Sequence, residues 1–241
     1  MELAVRVFGE SGRRVLLIHG LGSNSEGWWR VGPGLVQAGF QVTAPDLRGH
    51  GESAHTDDYS LAAHAADVAE LGDDWDVVIG HSLGGSIAVT LFDQNPRFGK
   101  RLVLLDPALV VLSPEIAIDM FTAAYQAPLT AARVSADNPT WHLEDARIKA
   151  QALQQSSLSV TEQTIWHNPD WNLVSITSKL AVPTLLVGSD PVLGSLVPPA
   201  LGQGLADLNG LIRFVTVPES SHSMHRDEFA ALMATILEFI V

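Results

Sequence analysis

The chain contains no cysteine, which excludes disulfides, thiolate metal sites and a cysteine nucleophile, and leaves redox chemistry silent about compartment. Basic residues are scarce: 14 Lys and Arg stand against 27 Asp and Glu, a net charge of −13. Nucleic acid and anionic membranes are polyanions and would repel such a surface, so neither is expected as the main partner. Long apolar runs are also missing, and no stretch approaches the roughly 20 residues that cross a bilayer. Residues 1–7, MELAVRV, lack the basic segment and apolar stretch of a secretion signal. The expectation is a soluble, cytoplasmic protein acting on a small, neutral or weakly polar ligand.

What is present is a globular balance, 46% hydrophobic and 17% charged, in a chain long enough to bury one large core. Short apolar runs alternate with helical patterns, the pattern of a mostly parallel central sheet flanked by helices, an α/β class. Strands are expected at residues 3–8, 15–18, 41–44, 76–79, 102–105, 184–187 and 211–217, and helices at 27–38, 60–71, 86–94, 199–207 and 226–240. Residues 107–182 differ: Pro114, Pro128, Pro139 and Pro169 interrupt helical patches at 115–126 and 143–155, with no convincing strand. This stretch reads as a helical lid inserted between two sheet strands of a core made of residues 1–106 and 183–241.

Gly80-His81-Ser82-Leu83-Gly84 lies between the β-branched run 76–79 and a helical segment. A strand, a tight turn and a helix with a serine at the apex form the context that gives Gly-x-Ser-x-Gly its meaning. The flanking glycines let the backbone reverse without a Cβ collision, so that Ser82 projects its hydroxyl as a nucleophile.

With His19-Gly20-Leu21-Gly22 after an early strand, Asp46-Leu47-Arg48-Gly49-His50-Gly51-Glu52-Ser53, the Ser82 turn and the late His222 in the same chain order, the sequence resembles the α/β-hydrolase family over nearly its whole length. The resemblance implies a catalytic triad of Ser82, His222 and an acid at the carboxyl end of the sheet, and an oxyanion hole from the backbone amides of Leu21 and Leu83. Imidazole takes the serine proton, a carboxylate fixes its tautomer, and amide donors hold the tetrahedral oxyanion. His222 follows a strand and a small-residue turn, and is preferred over His225, which starts the final helix. His81 and His19 read as structural supports, Asp46 as a partner for Arg48 or backbone amides, and the other histidines show no spacing for a metal site. No metal or organic cofactor is implied.

Two aspartates qualify as the acid: Asp106, ending the strand after the nucleophile helix, and Asp190, in the loop after the next strand. Most family members carry the acid in that second loop, just before a Val-Pro pair. Here Val197-Pro198 falls beyond Asp190, and Gly194 occupies the usual register. Asp106 is favoured, in the position that haloalkane dehalogenases and zearalenone lactonases use, with Asp190 as the alternative.

A serine rather than an aspartate at the apex argues against dehalogenase and epoxide hydrolase activity. The expected reaction is hydrolysis of a carboxylic ester or lactone of a small hydrophobic substrate through an acyl-enzyme. Thioesterase, carbon–carbon bond hydrolase, perhydrolase and non-enzymatic small-ligand receptor are the alternatives. Met120, Phe121, Tyr125, Trp141, Trp166 and Trp171 of the lid, with Trp28 beyond the oxyanion loop, are expected to line an apolar pocket over Ser82.

Overall fold

Residues 1–126 and 128–241 are described by a computed structural model. Strands β1 (Val5–Phe8), β2 (Arg13–Ile18), β3 (Phe40–Pro45), β4 (Val77–His81), β5 (Leu102–Leu105), β6 (Thr184–Gly188) and β7 (Ile212–Thr216) form one seven-stranded sheet in the order β1-β3-β2-β4-β5-β6-β7. All pairs are parallel except β1 with β3. The exposed edge strand β1 is the one departure from an otherwise parallel sheet.

The inner strands read as unbroken apolar runs because helices cover both faces. With a side-chain period of two, Val15, Leu17, Val77, Ile79, Val103 and Leu105 point to one face, against α1 (Val31–Gln37) and the carboxyl-terminal helix. Leu16, Ile18, Val78, Leu102 and Leu104 point to the other, against α2 (Leu61–Ala69) and α3 (Leu83–Gln94). Burying such side chains contributes roughly 25 cal/mol per Å² of apolar surface. Strand order reverses between β2 and β4, which opens a crevice at their carboxyl ends where ligands bind in sheets of this kind.

Between β5 and β6 the chain leaves the sheet for α4 (Pro114–Gln126), α5 (Ala131–Asp137), α6 (Leu143–Gln155), α7 (Leu158–Trp166) and α8 (Val174–Thr177). Polar bonds fasten this insert to the core. Arg30 pairs with Asp145 at 2.7 Å, Asn24 donates to Gln155 at 2.9 Å, and Trp141 Nε1 donates to Asp227 at 2.6 Å. The chain closes with α9 (Pro199–Leu208), α10 (Met224–Asp227) and α11 (Phe229–Ile240). Among the described residues no helix is long and apolar enough to cross a membrane.

Candidate active site

Ser82 sits between β4 and α3 with φ 53° and ψ −119°, a conformation that costs a non-glycine residue of order 1–3 kcal/mol and persists only where the surroundings enforce it. A Cβ on Gly80 would run into the Gly84 carbonyl, and one on Gly84 into the carbonyls of Ile18 and His19. The turn is thus wedged against the end of β2, and only glycine fits on either side of the serine. Its register is fixed by the sheet: the Ser82 amide donates to Leu105 O at 3.0 Å.

Asp106 ends β5 and is fixed the same way, its amide donating to Val187 O at 2.7 Å. Its carboxylate accepts from His222 Nδ1 at 2.7 Å and from the hydroxyls of Ser195 (2.8 Å) and Ser189 (3.1 Å). The amides of Leu196 and Val197 also donate to it, each at 3.1 Å. Burial works to raise this carboxyl's pKa, but the hydrogen bond and charge of His222, helped by Leu196 and Ser195, outweigh it and hold the pKa at about 2. Asp190 lies elsewhere in its duties: it accepts from the amides of Val192 and Glu219, both at 3.0 Å, and tightens its own loop. Of the two aspartates, the structure brings Asp106 to the imidazole.

With Nδ1 committed to Asp106, His222 Nε2 has no partner among the described residues, and the half-buried ring lines the same cavity as Ser82. His81 positions the segment that carries it, donating from Nε2 to the His222 carbonyl at 2.8 Å, with ring centroids 4.7 Å apart. Burial and the adjacent His222 push His81 well below the usual histidine range, so it stays neutral. His225 is buried against Trp28, with centroids 5.2 Å apart, and against His81 at 4.8 Å. It packs behind the site instead of entering it.

The loop after β2 is pinned by two imidazoles. His19 Nδ1 donates to Gly20 O at 2.8 Å while its Nε2 accepts from the Leu47 amide at 3.0 Å. His50 Nδ1 donates to Arg48 O at 2.9 Å while its Nε2 accepts from the Gly22 amide at 3.2 Å. Both roles require neutral rings. Burial lowers both, His50 to about 3. Asp46 accepts from the amides of Ser25 (2.6 Å) and Glu52 (2.9 Å), while Arg48 pairs with Asp67 at 2.7 Å. The result carries Gly20 to the serine turn, where an added Cβ would come within 3.0 Å of Ser82 Cβ. Among the described residues the amides of Leu21 and Leu83 donate to no protein acceptor.

The cavity at this junction has a volume of about 90 Å³, and its walls correct the expected aromatic pocket. Phe121 lines it, whereas the buried Tyr125 hydroxyl lies beside Gly22, outside the lining. The remaining five expected residues do other things. Trp28 is 1% exposed and packs into the core, and Trp171 is buried with Nε1 donating to Ala108 O at 2.7 Å. Trp141 binds Asp227 and carries Arg226 over its ring at 4.7 Å. Trp166 and Met120 face solvent, 52% and 73% exposed. Ser23, Lys149, Ser223 and Arg226, which the sequence did not single out, supply polar walls beside Leu21. Lys149 was legible in principle, since it stands three residues after the buried Ala146 and four before the buried Leu153, on the inward stripe of α6. No group of three or more His, Asp or Glu among the described residues is arranged to hold a metal ion.

A serine turn at the switch point of such a sheet, beside an imidazole fixed by a carboxylate, is the arrangement of hydrolytic enzymes. Residues 15–235 match the sequence model of the Alpha/beta hydrolase family, and the chain belongs to that family. It is similar to an uncharacterized protein of Mycobacterium bovis, 44% identical over 107 residues that cover 42% of this chain and 31% of that one. The matched stretch thus spans about a third of that relative. It is 28% identical over 250 residues to the sn-1-specific diacylglycerol lipase ABHD11 of Mus musculus, covering 94% of this chain and 80% of the lipase. The enol-lactonase of Burkholderia xenovorans shares the fold with a TM-score of 0.80 and 21% identity, covering 99% of this chain and 96% of the lactonase.

Proposed function

We propose that the chain is a serine hydrolase that cleaves a carboxylic ester or lactone of a small molecule through an acyl-enzyme, with Ser82 as nucleophile, His222 as base and Asp106 as the acid that orients it. The observation that carries this is the 2.7 Å bond from His222 Nδ1 to Asp106 beside a serine held at positive φ. That bond fixes the tautomer with the Nε2 lone pair free to take the Ser82 proton as Oγ attacks the carbonyl carbon. The amides of Leu21 and Leu83 receive the oxyanion, a donor pair whose members each contribute about 3 kcal/mol to lowering such a barrier. Collapse expels the alcohol, protonated by His222, and water activated by the same imidazole then releases the acid. The helical insert acts as a lid over this junction. A lipase and an enol-lactonase among the similar proteins are compatible with the assignment.

Turnover of a chromogenic short-chain ester by the wild type and by Ser82→Ala tests it. Loss of nearly all hydrolysis in the variant is expected. Undiminished turnover by Ser82→Ala removes the basis of the proposal.

A further inference from the structure

The cavity beside Ser82 is walled by two cations that have no carboxylate within ion-pairing distance among the described residues. This is unexpected in a chain with nearly twice as many acids as bases. The neighbouring acids are engaged elsewhere. Asp145 binds Arg30 at 2.7 Å and Trp29 Nε1 at 2.9 Å, and Asp227 binds Trp141 Nε1 at 2.6 Å and the Ser221 amide at 2.9 Å. Arg226, 4% exposed, lies over the Trp141 ring at 4.7 Å and makes one long side-chain hydrogen bond, to Ser23 Oγ at 3.5 Å, and its Nε has no acceptor among the described residues. Lys149 Nζ spends one proton on Gly22 O at 2.8 Å and keeps two donors. The Tyr125 hydroxyl is buried without a partner among the described residues. It converges with Lys149 on one spot: a Cβ on Gly22 would lie 3.5 Å from Lys149 Nζ and 3.6 Å from Tyr125 Oη.

Unpaired buried charge is costly. Burial, then Arg226, lowers Lys149 to about 7, and burial lowers Arg226 to about 10 despite Asp145 and Asp227. A bound anion reverses both effects. A carboxylate matches the arrangement: two oxygens for a fork of guanidinium donors and an ammonium, in a volume of about 90 Å³.

We propose that Lys149 and Arg226, with Ser23 and Tyr125 beside them, form a subsite for a carboxylate carried by the substrate, so that the preferred ester or lactone has a free acid group a few carbons from the scissile carbonyl. The proposal rests on the serine-hydrolase assignment above, and it replaces a wholly hydrophobic substrate by one whose apolar carbons meet Leu21 and Phe121 and whose far end is anionic.

The test compares the mono-p-nitrophenyl ester of glutaric acid with p-nitrophenyl butyrate. Charge-assisted hydrogen bonds of this kind predict a preference in kcat/KM of about tenfold or more for the anionic ester. In Lys149→Gln and Arg226→Gln the ratio should collapse toward one, chiefly through KM. Arg226 is buried and its variant can misfold, whereas Lys149 is only half-buried and reads the same ratio. Glutarate binding to Ser82→Ala, followed by calorimetry, reports on the subsite without turnover. Saturable binding that Lys149→Gln abolishes supports the proposal even if neither ester is cleaved, an outcome that would count against the hydrolase assignment alone. Equal efficiency on both esters with an unmoved ratio in Lys149→Gln, or no glutarate binding, overturns the carboxylate subsite and leaves the hydrolase assignment intact.

Discussion

Acid should unfold this protein well before its carboxylates are neutralised, because five histidines are buried in the neutral form. His19, His50, His64, His81 and His225 are each at most 7% exposed, and burial is the largest cause lowering every one of them. An unfolded histidine takes up its proton near pH 6.5. The folded His50 does so only at about 3, so below pH 6.5 the unfolded state binds more protons. Stability is full above that pH and falls as pH falls. Each unit between 6.5 and about 3 costs about 1.4 kcal/mol for His50 alone. At pH 4.5 that is about 3 kcal/mol from one residue. The other four act with the same sign against a total of typically 5–15 kcal/mol. Asp106, held at about 2, withdraws its contribution only below about 3.8 and so plays no part in this window. Urea unfolding followed by tryptophan fluorescence from pH 7.5 to 4.5 measures the slope. His64 offers an internal control, since neither ring nitrogen has a partner among the described residues. His64→Leu should flatten the acid slope and leave stability at pH 7.5 nearly unchanged. An unfolding free energy equal at pH 7.5 and pH 5 would refute the reasoning.

Asp106→Asn should lower kcat on the order of 10⁴-fold, as loss of the orienting carboxylate does in serine triads, while Asp190→Asn keeps most activity; steady-state kinetics of the pair separates them. Gly20→Ala should reduce kcat with little change in the thermal midpoint, because the added Cβ meets Ser82 Cβ and His81 Nδ1 at 3.0 Å each and displaces the serine turn, not the core. Incubation with a chelator should leave ester turnover unchanged, measured before and after dialysis into metal-free buffer.

The strands were legible because parallel strands covered on both faces must be apolar throughout, and runs such as Val77 to Ile79 between glycines and charges have no competing helical period. The serine turn was legible for a related reason: its glycines are demanded by backbone contacts that leave no alternative residue. The acid was legible only as a preference for Asp106 over Asp190. Asp106 and Asp190 both follow parallel strands, and the choice is made by the loop after β6, which folds Ser189, Ser195 and two amides onto Asp106. A pattern of residue types does not encode where a loop's hydroxyls will turn. The aromatic residues of the insert misled for a physical reason as well. Short helices pack by several faces, and a tryptophan gains as much by stacking on a neighbour, as Trp141 does with Arg226, as by lining a cavity. Lys149 and Arg226 were overlooked because isolated cations are ordinarily solvated.

Two members of the Ser82, His222, Asp106 set hang from neighbouring ladders of one sheet, Ser82 N bonding Leu105 O where β4 meets β5 and Asp106 N bonding Val187 O where β5 meets β6. Their separation is therefore as rigid as the sheet, and the imidazole alone arrives on a tether, the segment after β7 that His81 grips by its carbonyl. A bound partner, a distant substitution or heat that shifts this segment would move His222 away from a Ser82 and an Asp106 that stay in place.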